Sequence, residues 1–179
     1  MTHFHEDVAC DVAHGTAPAP SDGRALVAVF VTPVAEFLLR YAADAGYRTV
    51  LVEPDADRAA KAKEDDRLNG AELHSGIGSI PDAATDVVVT DHHRDELGVM
   101  LRDSLATPAR WVGIMGSPRH EPPHVQALAL LGVPPDEVAR VHRPIGLNIG
   151  SRTPSEIAIS TLAGLIADRN GRPGGFHFG

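Results

Sequence analysis

The fold is decided by one short stretch near the start of the chain, residues 26–33, which reads LVAVFVTP. Its first six residues are all apolar, which is typical of a strand buried on both faces of a parallel sheet. Thr32 and Pro33 then provide a helix N-cap and a proline at the first helical position. The stretch therefore predicts a strand that leads directly into a helix.

The same alternation continues along the chain and predicts a parallel sheet. The first helix should bury Val34, Leu38, Tyr41, Ala42 and Ala45 and should end at Gly46. Strands and helices that alternate imply right-handed βαβ crossovers and an α/β doubly wound, mainly parallel sheet in a single domain. The predicted strands are 26–31, 49–53, 72–74, 86–90 and 111–115, and the later helices are 56–68, 93–105, 120–131, 135–140 and 154–169.

Composition excludes several classes of protein. The chain has 179 residues, 43% of them hydrophobic, so it can form a core and is not a disordered chain. Cys10 is the single cysteine, which excludes a disulfide scaffold. A net charge of −8 disfavours binding to nucleic acid. With no secretory signal and no apolar stretch near the roughly 20 residues that cross a bilayer, we expect a cytoplasmic protein with no membrane contact.

Segments with proline and glycine near both ends of the sequence predict the domain boundaries. Residues 1–24 contain APAP at 17–20, which predicts a flexible leader. The α/β domain is predicted to cover residues 25–172. Residues 173–179 are predicted to form a tail, which contains His177. The leader could bind zinc or nickel through its imidazoles and thiol, but the spacing fits no compact site, so we predict no metal site. The groups concerned are His3, His5, Glu6, Asp7, Cys10 and His14.

Ligands of doubly wound sheets bind beyond the carboxyl ends of the strands, so the loops there carry the candidate site. After the first strand, residues 30–32 read FVT, where a dinucleotide fold has a glycine-rich turn. This favours an ordinary capped helix start over a pyrophosphate site. Glu53 nevertheless ends the second strand, where an acidic residue would bind ribose hydroxyls.

Three later loops could contact a small anionic ligand. Residues 90–93 read TDHH, in which Asp91 could orient His92 or His93 for proton transfer or could simply cap the next helix. Residues 113–119 read GIMGSPR and offer Gly113, Gly116, Ser117 and Arg119 to an anion. Residues 145–153 read IGLNIGSRT and run into the last helix, whose N-terminus favours negative charge. The candidates in that last loop are Gly146, Asn148, Gly150, Arg152 and Thr153.

Two of these segments carry a resemblance to a known family. WVGIMGS at 111–117 and HRPIGLNIGSRTPSEIA at 142–158 resemble segments of the xanthine dehydrogenase accessory (XdhC/CoxI) family, and residues 34–36 and 90–93 fall where that family's first helix and histidine segment lie. The resemblance covers about residues 25–172 and implies the family's C-terminal Rossmann-like domain. It also implies a role beside a molybdenum hydroxylase partner, in holding, sulfurating or delivering molybdenum cofactor.

The departures from that family shape the hypotheses. We expect no counterpart here, beyond a short leader, of the family's cysteine-containing N-terminal domain. FVT at residues 30–32 replaces the family's first glycine turn. His120 stands at a position that is basic in the family, and Asn148 stands where the family usually has Asp. We therefore favour a non-catalytic accessory protein that binds molybdenum cofactor or a nucleotide. The alternatives are an NAD(P)-dependent oxidoreductase and an interaction or regulatory protein with a degenerate nucleotide site. A homodimer is the expected oligomer, because it is the commonest one.

Overall fold

A computed structural model describes residues 8–18, 23–68, 70–117, 119 and 121–175. Six strands form one sheet in the order β3-β2-β1-β4-β5-β6, and every neighbouring pair is parallel. This order starts in the middle of the sheet and winds outward in both directions, so the predicted α/β, Rossmann-like doubly wound fold is confirmed. The strands are β1 (Ala25–Val29), β2 (Arg48–Val52), β3 (Glu72–His74), β4 (Thr85–Val89), β5 (Trp111–Ile114) and β6 (Val141–His142).

The helices cover both faces of this sheet, as a parallel sheet requires. Leu26 and Ala28 of β1 face one layer, and Val27 and Val29 face the other. The first layer contains α2 and α7, and the second contains α4 and α5. The helices are α1 (Val8–Ala13), α2 (Pro33–Asp44), α3 (Ala56–Lys63), α4 (Leu97–Leu105), α5 (Pro123–Leu130), α6 (Pro135–Val138) and α7 (Pro154–Arg169).

Helix α7 runs antiparallel to the strands, which brings its first half to their carboxyl ends. Its last residue, Arg169, donates to the buried carboxylate of Asp86 in β4 at 2.9 Å, and Arg110 donates to the same carboxylate at 2.7 Å. Burial raises the pKa of Asp86 despite the two arginines. The ion pairs hold the far end of α7 at the start of β4, so its N-terminal half lies beside the loops after β4 and β5.

Several predicted elements differ from the structure in their extent. The predicted 56–68 helix ends at Lys63 and is followed by a short 3-10 turn, Asp66–Leu68. The predicted 93–105 helix begins only at Leu97. In α2 the buried stripe is Ala35, Leu38, Leu39 and Ala42, and Ala45 is exposed, so the predicted face was displaced by about one residue. Neither β6 nor α1 was predicted, and α1 lies within the predicted leader.

The domain boundaries at residues 24 and 172 stay predictions. Residues 1–7, which include most of the proposed leader ligands, and His177 lie outside the described residues. In the part that the structure does describe, no helix combines the length and apolar character needed to cross a membrane.

Helix α7 begins as the sequence predicts, with a complete capping box. The Thr153 hydroxyl accepts from the Glu156 N–H at 3.3 Å, and the Glu156 carboxylate accepts from the Thr153 N–H at 3.0 Å. We expect Thr153→Ala to lower the free energy of unfolding by about 1 kcal/mol, because it removes this N-cap. Urea denaturation followed by circular dichroism measures the loss. Thr153→Ser keeps the hydroxyl and should restore most of the stability; equal losses in the two variants would contradict the prediction.

Candidate functional site

The turn between β1 and α2 is closed by the chain itself. Among the described residues, Phe30 is the one non-glycine residue with a positive φ, of 76°. Its backbone thus adopts a conformation that favours glycine, while its side chain is fully buried. A dinucleotide fold keeps this turn free of side chains so that a pyrophosphate can approach it. Here the turn carries side chains in place of glycines, and the Phe30 ring packs into the hydrophobic core.

Side chains of the loop after β4 bind to this turn. Thr32 donates to the Thr90 hydroxyl at 3.0 Å, and Thr90 donates in turn to the Val29 carbonyl oxygen at 2.9 Å. Arg94 donates to the Val31 carbonyl oxygen at 3.3 Å, and its guanidinium carbon lies 5.7 Å from the centre of the Phe30 ring. The β1–α2 turn is therefore tied to the loop after β4.

Glu53 is placed in the interior and not at a ligand surface. Its side chain is fully buried, and one oxygen accepts from the Val31 N–H at 2.9 Å. The other oxygen accepts from the Asp55 N–H and from Arg58 Nε, both at 3.1 Å. The carboxylate predicted to bind ribose instead satisfies the backbone of the closed turn, and it does not line the cavity described next.

An open cavity of about 750 Å³ lies at the carboxyl ends of β4 and β5, between their loops and the first half of α7. It brings together most of the candidate residues from three separate loops. Five candidates lie outside its lining: Glu53, His93, Gly113, Arg152 and Thr153. The predicted residues that do line it are Asp91, His92, Gly116, Ser117, Arg119, Gly146, Asn148 and Gly150. Residues that the sequence analysis did not propose also line it, among them Thr90, Met115, Ile145, Leu147, Ile157 and Thr161.

The segment after β4 forms a tight polar turn. Asp91 accepts from the His93 N–H at 2.9 Å and pairs with Arg94 Nε at 2.9 Å. The alternative that Asp91 caps the next helix was wrong, because α4 starts at Leu97 and its N-cap residue is Glu96. Asp91 forms no hydrogen bond with an imidazole among the described contacts, so it orients the His92 and His93 segment through the backbone.

His92 is the imidazole that lines the cavity, and its ring centre lies 4.0 Å from that of the exposed His93. Burial, followed by the neighbouring His93, lowers the pKa of His92 below its ordinary value. We expect NMR titration to show His92 uncharged at neutral pH. His93→Ala should raise the pKa of His92 only in part, since burial is the larger cause. An unchanged pKa in His93→Ala would contradict this account, and His92→Ala assigns the resonance.

The turn after β5 is shaped by an arginine that the sequence analysis did not select. A Cβ atom on Gly116 would lie 2.7 Å from Arg143 Nε, so the missing side chain makes room for the guanidinium. Arg143 Nη2 also donates to the Ser117 carbonyl oxygen at 2.7 Å. Arg143 lies within residues 142–158, one of the two segments that resemble the family. That resemblance was the sequence signal that could have identified it.

The loop before α7 lies directly on that helix. Gly146 has a φ of 85°, and a Cβ atom there would lie 2.6 Å from Ser160 Oγ. Leu147 donates its N–H to the Ser160 carbonyl oxygen at 3.1 Å, and the Ser160 hydroxyl donates back to the Leu147 carbonyl oxygen. Gly146 thus lets the loop approach α7, whereas Gly150, with a φ of 70°, faces open space.

The N-terminus of α7 is occupied by a carboxylate of the chain. Glu156 accepts from the Arg152 N–H at 2.7 Å and from the Thr153 N–H at 3.0 Å. These two donors lower the pKa of Glu156, which keeps it ionised at neutral pH. Glu156 already neutralises the end of the helix. It would therefore compete with the external anion that the sequence predicts at this helix end.

Metal ligation has no support in the part of the chain that the structure describes. No group of three or more His, Cys, Asp or Glu side chains is placed there to hold a metal ion. Cys10 is exposed, and the other leader residues proposed as ligands, apart from His14, lie outside the described residues.

The strand order and the cavity at the carboxyl edge of the sheet define a Rossmann-type α/β protein with a modified first turn. Residues 26–165 match the family model described as the XdhC Rossmann domain. The chain belongs to this family, and the resemblance drawn from its sequence is confirmed.

Two known proteins are similar to parts of this chain. The uncharacterized protein YqeB of Escherichia coli K12 is 35% identical over 95 residues, which are 53% of this chain and 17% of that protein. A solved structure described as a xanthine dehydrogenase from Bacillus halodurans superposes with a TM-score of 0.64 and 24% identity, over 83% of this chain and 45% of that one. The chain thus spans less than half of either protein, and the second likeness shows the fold alone.

Proposed function

We propose that the protein is an accessory protein of molybdenum hydroxylases and that it holds molybdenum cofactor in the cavity beside β4, β5 and α7. The observation that carries the proposal is the division of the Rossmann edge into two halves. In the half that would receive a dinucleotide pyrophosphate, the first turn has no glycine and Glu53 takes up its Val31 N–H, whereas the other half is an open cavity of about 750 Å³. Family membership supports the link to xanthine dehydrogenase-type enzymes.

The lining of the cavity fits the chemistry of this cofactor. Its pterin is a flat ring with polar edges, and it carries an anionic phosphate arm. Ile145 and Leu147 offer apolar surface to a ring face, while His92 and Asn148 offer hydrogen bonds to a ring edge. Arg119 offers a cation for the phosphate. When bound, the group would supply redox-active molybdenum to the partner enzyme; the residues of this chain bind and orient it.

An NAD(P)-dependent oxidoreductase is disfavoured by the same geometry. The glycine turn and the free ribose-binding acid, which that function needs, are replaced by a buried phenylalanine and a carboxylate with both oxygens engaged. His92 lines the cavity in the half of the edge where a nicotinamide would lie, but the closed first turn leaves the rest of the dinucleotide without a site.

A retention experiment tests the proposal. The full chain is incubated without oxygen with molybdenum cofactor released from a denatured molybdoenzyme, desalted, and assayed for bound pterin by fluorescence after oxidation. We expect bound pterin and no shift of the melting temperature with NADH. A melting shift with NADH and no bound pterin would support the oxidoreductase instead. Binding of neither would leave the fold as an interaction surface and overturn the proposal.

A matched pair of asparagine variants locates the bound pterin. Asn148 lines the cavity, and Asn170 lies at the C-terminal end of α7, outside it. Asn148→Ala should weaken pterin retention about two- to tenfold, the effect of losing one hydrogen bond. Asn170→Ala should retain pterin like the unmodified chain. Equal retention by both variants would place the cofactor elsewhere.

A further inference from the structure

Helix α5 differs from the other helices in the residues that it presents to solvent. Neither the helix nor the segments beside it contain Asp, Glu, Lys or Arg, since residues 122–135 read PPHVQALALLGVPP. Every other helix among the described residues carries at least one of these charges. A helix with no charged outward face is normally buried on all sides. The outward face of α5 is nevertheless exposed in the single chain.

Large apolar side chains form much of this exposed surface. Six large hydrophobic side chains are exposed among the described residues, and four of them lie on α4, on α5 or directly after α5. A Cβ atom on Gly98 would lie 3.1 Å from Leu131 Cδ1, so the surface continues from one helix to the other. We name the four side chains the α4–α5 patch; they are Val99, Val125, Leu130 and Leu131, of which Leu130 is 80% exposed.

One charge of each sign lies beside the patch on α4. Arg102 and Asp103 follow Val99 by three and four residues and therefore share its side of the helix. The two side chains pair at 2.8 Å and remain partly exposed. Neighbouring opposite charges are self-complementary, because a two-fold axis can set the arginine of one copy beside the aspartate of the other.

This charge distribution fits a second copy of the chain as the occupant of the patch. A chain with a net charge of −8 repels its own copies wherever like charges meet. Two α4–α5 patches can meet without this repulsion, because their side chains are apolar and the charges of the bordering pair sum to zero. A basic partner would be attracted to the acidic surfaces of the chain and not to an uncharged one.

We propose that the protein forms a two-fold symmetric dimer in which the α4–α5 patches of two copies pack against each other. The sequence predicts a homodimer only as the commonest oligomer, and the patch assigns that dimer a surface. The four patch residues lie outside the lining of the cavity, so the inference does not depend on the ligand. Helix α4 has nine residues and is about 13 Å long, which is short for an interface of standard size. We therefore expect a weak dimer with a dissociation constant of about 1–100 μM.

Sedimentation equilibrium of the full chain between about 2 and 500 μM tests the proposal. The mass should rise from that of one chain to that of two. Leu130→Glu should weaken the dimer about tenfold or more, because it brings like charges together in an apolar contact. Its fold should persist, since Leu130 is already 80% exposed, and an unchanged melting temperature checks this.

Ile159→Glu is the matched control for this variant. Ile159 is also an exposed apolar side chain, but it lies on α7, in the helical layer on the opposite face of the sheet. The control adds the same charge and should dimerise like the unmodified chain. Equal weakening by both substitutions overturns the proposal. A chain that stays monomeric at every concentration also overturns it, and would leave the patch to a different protein.

Mixing variants tests the two-fold symmetry. Leu130→Lys alone should weaken the dimer as Leu130→Glu does. An equimolar mixture of the two should associate about tenfold more tightly than either alone, because opposite charges then face each other. No gain on mixing would mean that the patch contacts a different surface of the second copy, which overturns the symmetric dimer.

Salt dependence and cross-linking give independent readouts. Raising sodium chloride from about 50 to about 500 mM should tighten the dimer by screening the repulsion between copies, and weakening by salt would count against an apolar contact. Cys10, the single cysteine, is first replaced in Cys10→Ser. In that background a short bismaleimide should join two chains of Ala129→Cys, on the exposed side of α5, and not two chains of Ile159→Cys. Equal cross-linking of both would contradict the assigned surface.

Discussion

Replacing Gly146 with alanine is expected to lower the free energy of unfolding by about 3 kcal/mol and to abolish most ligand retention. The residue has a φ of 85°, which is strained for any side chain. A Cβ atom would also lie 2.6 Å from Ser160 Oγ, 3.1 Å from the Ser160 carbonyl carbon and 3.1 Å from the Thr161 nitrogen. Two of these three atoms belong to the backbone of α7 and cannot rotate away.

The displacement should reach the cavity, because the loop and the helix form two of its walls. Leu147 is joined to Ser160 by hydrogen bonds in both directions, and Gly164 of α7 also approaches Gly146 without a side chain. Moving the loop away from α7 breaks these contacts and shifts Ile145 and Leu147, which line the cavity. Ligand retention is therefore expected to fall more than stability alone would require.

Gly150→Ala is the matched control for this variant. Its φ of 70° gives a similar backbone strain, but nothing lies within 4 Å of the added Cβ atom. We expect a loss of about 1–2 kcal/mol from strain alone. Urea denaturation of both variants, with pterin retention measured alongside, separates strain from crowding. Equal losses of stability in the two variants would show that the approach of the loop to α7 contributes nothing.

The fold was predictable because its signals are local and repeated. Apolar runs such as residues 26–31 and the capping box at Thr153 fix strands and helix starts through short-range physics, and the crossover rule sets the handedness of the connections between parallel strands. Helix ends were less certain, since the start of α4 at Leu97 depends on the turn held by Asp91 and Arg94. Strand β6 has two residues, too few to leave a periodic signal.

The candidate site was predictable as a set of loops and not as a set of contacts. The loops after β4 and β5 and the loop before α7 do converge, since the carboxyl ends of parallel strands share one edge. Whether a polar group is free for a ligand depends on residues far away in sequence. Glu53 is 22 residues from Val31, whose N–H it accepts, and Arg143 is 26 residues from Ser117.

The role of a glycine is equally hard to predict from the sequence. In a loop that could bind a ligand, a glycine suggests that the ligand approaches the backbone there. In this structure Gly116 accommodates Arg143 and Gly146 accommodates α7. Each absent side chain makes room for another part of the protein. Of the four glycines proposed for the site, only Gly150 faces open space.

Gly113 in β5 leaves the least room for an added Cβ atom among these glycines. Gly113→Ala is therefore expected to lower the free energy of unfolding by about 2–3 kcal/mol. A Cβ atom there would lie 2.1 Å and 2.4 Å from two ring carbons of Trp111 and 2.9 Å from Ile145 Cγ2. The ring cannot move freely, because it is 9% exposed and stacks on His142 with ring centres 4.8 Å apart. Far-UV circular dichroism in urea measures the loss.

A double-mutant cycle with Trp111→Phe assigns the cause of this loss. Phenylalanine lacks the outer part of the indole, so the added methyl group gains room, and Gly113→Ala should cost at least about 1 kcal/mol less in that background. The remaining cost would reflect Ile145, which also lines the cavity. An equal cost in both backgrounds would show that the indole contact is not responsible. The expected coupling would mean that the missing side chain of Gly113 serves the packing of Trp111.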